Sequence, residues 1–329
     1  MKISRASPRL LRRDNKNLSW LERLLLRRSR IDGGSNRHMF QDDFLLIFTL
    51  IKSREGAPFS IDTNKPELAD RLLANVAPRH HYRKRQRQIT ELVEEVANAF
   101  LTYGRAFFWM EHDEQNATTT LVNVSRDDIY SILGQAFQFC PPGSELDTSY
   151  RETATSREIR VIDRRRLLHL EMPPRLRRAL TIQNRILSSL NRYDMSVPLA
   201  FQPKATHESP NPTTSFDYSR WREAQDLAFY RATRGTGWNG RMYDSEKRSD
   251  FFDCFRLIRF RRMQLTVRDE ILGQLSKEFS RVGRNYDASF QVTISATAEL
   301  QSIAQLDELE ARLTREEVGF TEIIDFCLA

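Results

Sequence analysis

The side chains best equipped for chemistry in this 329-residue chain are guanidinium groups. Of 51 basic residues 43 are arginine, set against 44 acids, for a formal charge of +7. Guanidinium is planar, always charged and bidentate, which suits phosphate and interfacial carboxylate. Catalytic spacing is another matter: no GxxxxGK[ST], GxGxxG, HExxH or GxSxG is present. His80 and His81 sit in the basic run "RHHYRKRQRQ" and His169 alternates along an expected strand, so each reads as a surface or structural histidine. Asp127 and Asp128 could in principle hold a metal for a nuclease, but "SRDD" before an apolar run is more readily a turn. Cys140, Cys254 and Cys327 are isolated thiols without CxxC or CxxH spacing, which indicates neither a disulfide scaffold nor a zinc site and suggests a reducing, intracellular setting. No catalytic residue, metal or cofactor is expected, and the chain is not expected to be an enzyme.

Charge is distributed unevenly. Residues 1–40 carry 11 Lys and Arg against 3 acids, whereas 299–329 carries 8 acids against Arg312 and Arg315. Opposite signs at the two ends suit subunits that meet head to tail, or one end near nucleic acid. The longest apolar run, "FLLIFTLI" at Phe44 to Ile51, is too short to span a bilayer, and no apolar signal-type region is found near the N-terminus, so a soluble protein without membrane contact is expected.

The elements that must position these groups follow in order. Residues 1–17 are basic and patternless. Ser19 and Glu22 form a capping-box signature opening "LSWLERLLLRR". A helix is expected from Met39 to Lys52, with Phe40, Phe44, Ile47 and Ile51 on one face, and another from Pro66, ending before Pro78. "ITELVEEVANAFLTYG" reads as a helix with Gly104 as its stop. The period then changes to two in "RAFFWME", "TLVNV", "DIYSI", "QAFQF", "EIRVI" and "RLLHLE", with polar turns such as "PPGSELD" between them, so a small antiparallel sheet follows the helices in an α+β arrangement.

From Pro173 two helices flank a proline-rich stretch. The first places Leu176, Leu180, Leu187 and Leu190 on one face and Arg178, Arg185 and Arg192 on another. Pro198, Pro203, Pro210 and Pro212 keep helix and central strand out of 194–216. The second helix is capped by Asp217 and stopped by Gly235 and Gly237. A loop with Arg234, Arg241, Lys247 and Arg248 leads into the longest periodic segment, where Phe251, Ile258, Leu265, Leu272 and Phe279 recur every seven residues. Arg261, Arg262 and Arg268 interrupt its apolar face, so a kink or an exposed stretch is expected there. "ASFQVTIS" reads as a strand, and two short acidic helices joined near Thr314 end the sequence.

The stretch "FLTYGRAFFWMEHDE", then "TLVNVSRDDIYSI", then "VIDRRRLLHLEMPP" resembles the wing domain of portal proteins of tailed bacteriophages, notably at Gly104, Leu121 and His169. The order downstream extends the likeness from about residue 66 to the end. The resemblance implies a basic arm over 1–40, a wing over 41–172, a stem helix over 173–193, a clip over 194–216 and a second stem helix over 217–234. It further implies a tunnel loop over 235–250, the wing's long kinked helix and strand over 251–296, and a rudimentary crown over 297–329. The chain is short for that family, and the basic arm has no counterpart in the family pattern.

What the resemblance implies is a homo-oligomer of twelve subunits at one vertex of a virion, assembled in the host cytoplasm and passing double-stranded DNA during packaging and ejection. Its partners would be a terminase and a tail adaptor protein docking at the clip, for which Val197, Pro198, Leu199, Ala200 and Phe201 are the candidates, and the major capsid protein. Arg231, Arg234, Arg241, Lys247 and Arg248 are candidate DNA-facing groups, because arginine–phosphate contacts are sequence-blind. They are equally suited to bridges between subunits. The alternative from a different class is a monomeric or dimeric nucleic-acid-binding protein using His80 to Gln88 and the N-terminal arm.

Overall fold

The computed structural model describes residues 2–5, 7–8, 11–12, 35–46, 58–77, 85–113, 118–124, 129–132, 134–140, 143–146, 152–155, 157–190, 218–240 and 249–328. Strands β1 (Lys2–Arg5) and β2 (Leu11–Arg12) come first, then helix α1 (Ser35–Leu46), strand β3 (Phe59–Thr63) and helices α2 (Pro66–Leu72) and α3 (Arg85–Tyr103). A run of strands follows: β4 (Arg105–Asp113), β5 (Thr118–Asn123), β6 (Ile129–Ile132), β7 (Gln135–Cys140), β8 (Gly143–Leu146), β9 (Glu152–Thr155), β10 (Glu158–Ile162) and β11 (Leu167–Glu171). Helices α4 (Pro174–Leu190), α5 (Tyr218–Ala232) and α6 (Asp250–Gly283), strand β12 (Val292–Ala296) and helices α7 (Ile303–Thr314) and α8 (Phe320–Leu328) complete the order. Helices and small sheets are thus mixed, and they group into two units. The first takes 1–30, 48–172 and 266–300; the second takes 31–47, 173–265 and 301–329.

In the first unit the strands form small sheets ordered β1-β10-β7-β6, β11-β4-β5, β12-β3 and β2-β8-β9. Helix α3 buries Ile89, Leu92, Val93, Val96 and Phe100, the apolar face of its 3.6-residue period. It stops at Gly104, whose φ of 71° is open to glycine at little cost, and the turn lets β4 start at once. Gly104 also accepts at its carbonyl from the Met172 amide at 3.0 Å, closing the end of β11 onto that turn.

The second half of α6 does something for the sheets that its sequence pattern does not announce. Strand β11 is an edge strand with unpaired main-chain groups. Gln274 Oε1 accepts from the Glu171 amide at 2.9 Å while Gln274 Nε2 donates to the Glu171 carbonyl at 2.7 Å. One turn on, Glu278 Oε2 accepts from the His169 amide at 3.1 Å, and Arg281 Nη2 donates to the Leu167 carbonyl at 2.6 Å. Side chains on one helix therefore stand in for the missing neighbour strand. Ser276 and Ser280 do the same for β12, their hydroxyls accepting from the Ile294 and Val292 amides at 2.8 and 3.0 Å. Edge strands left bare invite pairing with other chains, and here they are covered.

Between α6 and β12, Asp287 accepts from the Ser289 hydroxyl at 2.7 Å and amide at 2.9 Å and pairs with Lys65 at 3.1 Å. These bonds favour the carboxylate and hold it from its ordinary 3.8 down to about 2. Because the folded value is the lower one, the stabilisation is complete above the ordinary value and disappears as pH falls toward about 2. An NMR titration of the Asp287 carboxyl carbon should find a midpoint near 2, and Asp287→Asn should remove that step from the acid-unfolding profile. A midpoint at the ordinary value would show the turn to be open in solution.

In the second unit, Cys254, Ile258 and Leu265 of α6 pack with Leu306, Leu309 and Leu313 of α7 and with Ile323 and Cys327 of α8. Helix α7 opens on a capping box, the Ser302 hydroxyl accepting from the Gln305 amide while Gln305 Oε1 accepts from the Ser302 amide. Burial pushes the Cys327 thiol up to about 12, so it is an uncharged core side chain.

Several expectations are corrected. The segment at the N-terminus is not patternless: β1 runs parallel to β10, Lys2 opposite Glu158, and β2 pairs with β8. "PPGSELD" is not only a turn, since Gly143–Leu146 is β8. Helix α1 begins at Ser35 instead of Met39, with Phe40 and Phe44 fully buried as the spacing requires; Ile47 and Ile51 lie outside the described residues. Helix α2 ends at Leu72, several residues before Pro78. Helix α6 is continuous over 34 residues, and the arginines in its middle are not exposed: Arg261 is 1% and Arg268 2% accessible. Arg261 is accommodated because Gln301 Oε1 and Gln264 Oε1 accept from it at 2.7 and 3.3 Å, and Gln264 in turn donates to the Phe44 carbonyl at 2.7 Å. Arg262 reaches Asp307 and Glu310 on α7 at 2.6 and 2.5 Å. Phe251, by contrast, is exposed, the one member of its heptad series that is. The capping box at Ser19 and Glu22 lies outside the described residues.

Candidate functional site

The arginines singled out by sequence cluster where α5 gives way to a glycine-containing loop. Helix α5 buries Phe229 and Ala232, and Thr233 then turns the chain, its amide and hydroxyl both donating to the Phe229 carbonyl at 2.9 and 3.0 Å. The Gly237 amide donates to the Thr233 carbonyl at 2.8 Å, and a φ of 78° at Gly237 and 73° at Gly240 bends the backbone away from helix. Gly237 has a second reason to lack a side chain. A Cβ there would stand 2.4 Å from the Arg256 carbonyl oxygen and 2.6 Å from the Phe260 nitrogen, so the loop lies directly on the backbone of α6.

Three side chains fix this loop root. The Thr236 hydroxyl donates to Gln183 Oε1 on α4 at 2.5 Å. Trp238 is buried, its indole N–H donates to Asp43 on α1 at 2.8 Å, and its ring meets Phe40 and Phe229 with centroids 5.4 Å apart in both cases. Arg256 on α6 is 4% accessible and gathers the rest: Nε donates to Asn239 Oδ1 at 2.6 Å, and Nη2 donates to Thr233 Oγ1 at 2.6 Å and to the Trp238 carbonyl. Its guanidinium lies 5.2 Å from the centre of the Tyr230 ring and 5.5 Å from that of Phe252, where a cation is attracted to the ring faces.

Against this rigid root, Arg231 and Arg234 are exposed. Arg259 Nη1 donates to the Arg234 carbonyl at 3.2 Å, which adds a third arginine beside them. The structure therefore brings Arg231 and Arg234 to one surface at the end of α5. Arg241, Lys247 and Arg248 lie outside the described residues, as do Val197, Pro198, Leu199, Ala200 and Phe201, and likewise His80, His81, Asp127 and Asp128. His169 stacks on Phe107 with centroids 4.5 Å apart, and its pKa is lowered, chiefly by burial. Such a packed, neutral imidazole is a structural side chain. Sequence reasoning missed Arg256, Trp238 and the requirement at Gly237; the only signal was the glycine spacing and lone tryptophan of "GTGWNG".

Among the described residues no three His, Cys, Asp or Glu side chains cluster in a way that would hold a metal ion, and no helix is long and apolar enough to cross a membrane.

No known family's sequence profile matches the chain, and no curated protein matches it. Solved structures do. A chain in the virion of a native gene transfer agent particle is 11% identical, with 92% of this chain and 91% of that one covered and a TM-score of 0.46. A chain from the neck of the empty particle, computed with C6 symmetry, is 12% identical over 92% of both chains, also at 0.46. One from the neck of the native particle, computed with C12 symmetry, is 11% identical over 87% and 88%, at 0.42.

Proposed function

We propose that the chain is a portal-type subunit, copies of which close into a ring around a channel for double-stranded DNA in a phage-like particle. One observation carries this: the order of elements from β11 through α4, a proline-rich stretch, α5, a glycine loop rooted on α6, the 34-residue α6, β12 and two short helices. It is the order that the resemblance at Gly104, Leu121 and His169 implies for wing, stem, clip, stem, tunnel loop, wing and crown. The twelve-fold number, the terminase, the tail adaptor at Val197 to Phe201 and the contact with capsid protein come with that proposal.

The chemistry at the loop agrees with such a role. A channel must resist DNA without gripping a sequence, and exposed guanidinium groups on a fixed root offer phosphate contacts of that kind. No bond is made or broken in this mechanism. The root set by Arg256, Thr236 and Trp238 keeps the charged positions at a constant place while DNA moves past.

Electron micrographs of the purified protein should show rings with a bore. Particles of one or two copies with salt-dependent DNA affinity would instead favour the plain nucleic-acid-binding protein. Neutralising Arg234 and Arg241 together should leave rings intact and impair DNA retention in packaged particles; normal retention would remove the DNA-facing assignment.

A further inference from the structure

The side of α4 turned away from its buried positions carries a stripe that nothing so far described uses. Arg175, Arg178, Ile182 and Arg185 recur at three- and four-residue intervals, so they share one face of the helix. All four are exposed, Ile182 at 51%, whereas Leu180, Gln183, Asn184 and Leu187 on the other side are buried. There is no acid from Met172 to Tyr193, so no pair within the helix can neutralise the stripe. Among the described residues none of these three arginines has an ion-pair or hydrogen-bond partner.

Helix α5 presents a face of the complementary kind. Leu227 is 50% exposed, Glu223 one turn before it is exposed and Asp226 is half-buried, while Phe229, Ala232 and Thr233 point to the opposite side and are buried. The two helices pack on each other. Each therefore keeps outward one apolar side chain flanked by charge, basic on α4 and acidic on α5.

We propose that the Arg175–Arg178–Ile182–Arg185 stripe of one copy docks on the Glu223–Asp226–Leu227 face of a second copy, Ile182 against Leu227, with arginine–carboxylate pairs around them. This rests on the ring reading above and supplies its contact. Three considerations select the occupant. A phosphate backbone gains nothing from an isoleucine at the centre of a basic stripe, whereas a protein interface places such a side chain at its core and arginine around it. A contact of the stripe with itself would set guanidinium against guanidinium, which costs affinity. Using two different faces makes the contact heterologous, so every copy offers one face to each neighbour and the series repeats until it closes.

The test measures assembly mass of the full-length protein by native mass spectrometry for wild type, for Arg178→Glu with Arg185→Glu, for Glu223→Arg with Asp226→Arg, and for an equal mixture of the two variants. Thermal melts check that each variant is folded. The expected result is a ring for wild type, loss of the ring peak in either variant alone, and its return in the mixture, because alternating copies then meet Glu with Arg at every contact. Variants that assemble like wild type, or a mixture that stays dissociated, overturn the docking. Intact variant rings with weakened DNA binding would assign the stripe to nucleic acid, overturning the docking while the ring stands. A wild type that is monomeric throughout overturns both. A small oligomer without a bore, dissolved by each variant and restored by mixing, supports the docking and removes the ring.

Discussion

Replacing Gly237 by alanine is expected to lower stability by roughly 3 kcal/mol, one of the two largest losses foreseen for a single methyl or side chain in the second unit. Two costs add. The backbone at Gly237 has φ of 78°, a left-handed conformation that costs an L side chain about 1–2 kcal/mol. The new Cβ would also sit 2.4 Å from the Arg256 carbonyl oxygen and 2.6 Å from the Phe260 nitrogen, both backbone atoms of a packed helix that cannot swing aside. The loop must lift, and with it Trp238 leaves Asp43 and the Phe40 and Phe229 rings. Gly235 is the internal control. It is exposed, a Cβ added there would meet nothing within 4 Å, and Gly235→Ala should leave the stability from urea unfolding within about 0.5 kcal/mol of wild type. Equal stabilities for the two variants would mean that the loop does not rest on α6 in solution. If the loop lines a channel, Gly237→Ala should in addition leak DNA even where rings still form.

Much of the element order was legible in the sequence because its signals are local. Proline at the first turn marks the starts of α2 and α4, Gly104 marks the end of α3, and period-two alternation marks β4, β5, β7, β10 and β11. What was not legible depends on partners far along the chain. Strand β3 pairs with β12 across more than 200 residues, Ile61 opposite Ile294, and a five-residue segment carries no indication of such a partner. Nor does the basic N-terminal stretch show that Lys2 to Arg5 will run parallel to β10. The expectation of an exposed middle for α6 failed for a related reason. Charge argues for solvent, yet Arg261 is buried because glutamines from α7's approach and from its own helix supply acceptors.

The candidate site divides in the same way. That Arg231 and Arg234 are exposed beside a glycine loop follows from a helix ending in "YRATRGTG". The loop's anchor does not follow. Arg256 sits in a helix among other arginines and looks from its neighbours like a solvated residue, while its role comes from loop residues 17 and 23 positions upstream that fold back over it. The stripe on α4 was partly visible as Arg178 and Arg185 seven apart, but only exposure of Ile182 in the same row separates a protein-docking face from a solvated one.

Arg256→Met should cost roughly 3 kcal/mol, and Arg256→Lys should recover little of it. Methionine keeps the apolar stem that packs on Tyr230 and Phe252 but leaves Asn239 Oδ1, Thr233 Oγ1 and the Trp238 carbonyl without their donor. Buried acceptors deprived of a partner retain the full penalty of lost hydration. Lysine restores a charge, yet a single ammonium cannot reach what Nε and Nη2 reach from opposite corners of a planar group, nor lie flat between two rings whose centres are 5.2 and 5.5 Å away. Hydrogen exchange separates local from global loss: amides of Thr233, Gly237 and Trp238 should lose protection in Arg256→Lys before the α7 and α8 core does. Should lysine keep wild-type protection there, the guanidinium is not the anchor, and the fixed position of Arg231 and Arg234 would have to come from Trp238 and Thr236 alone.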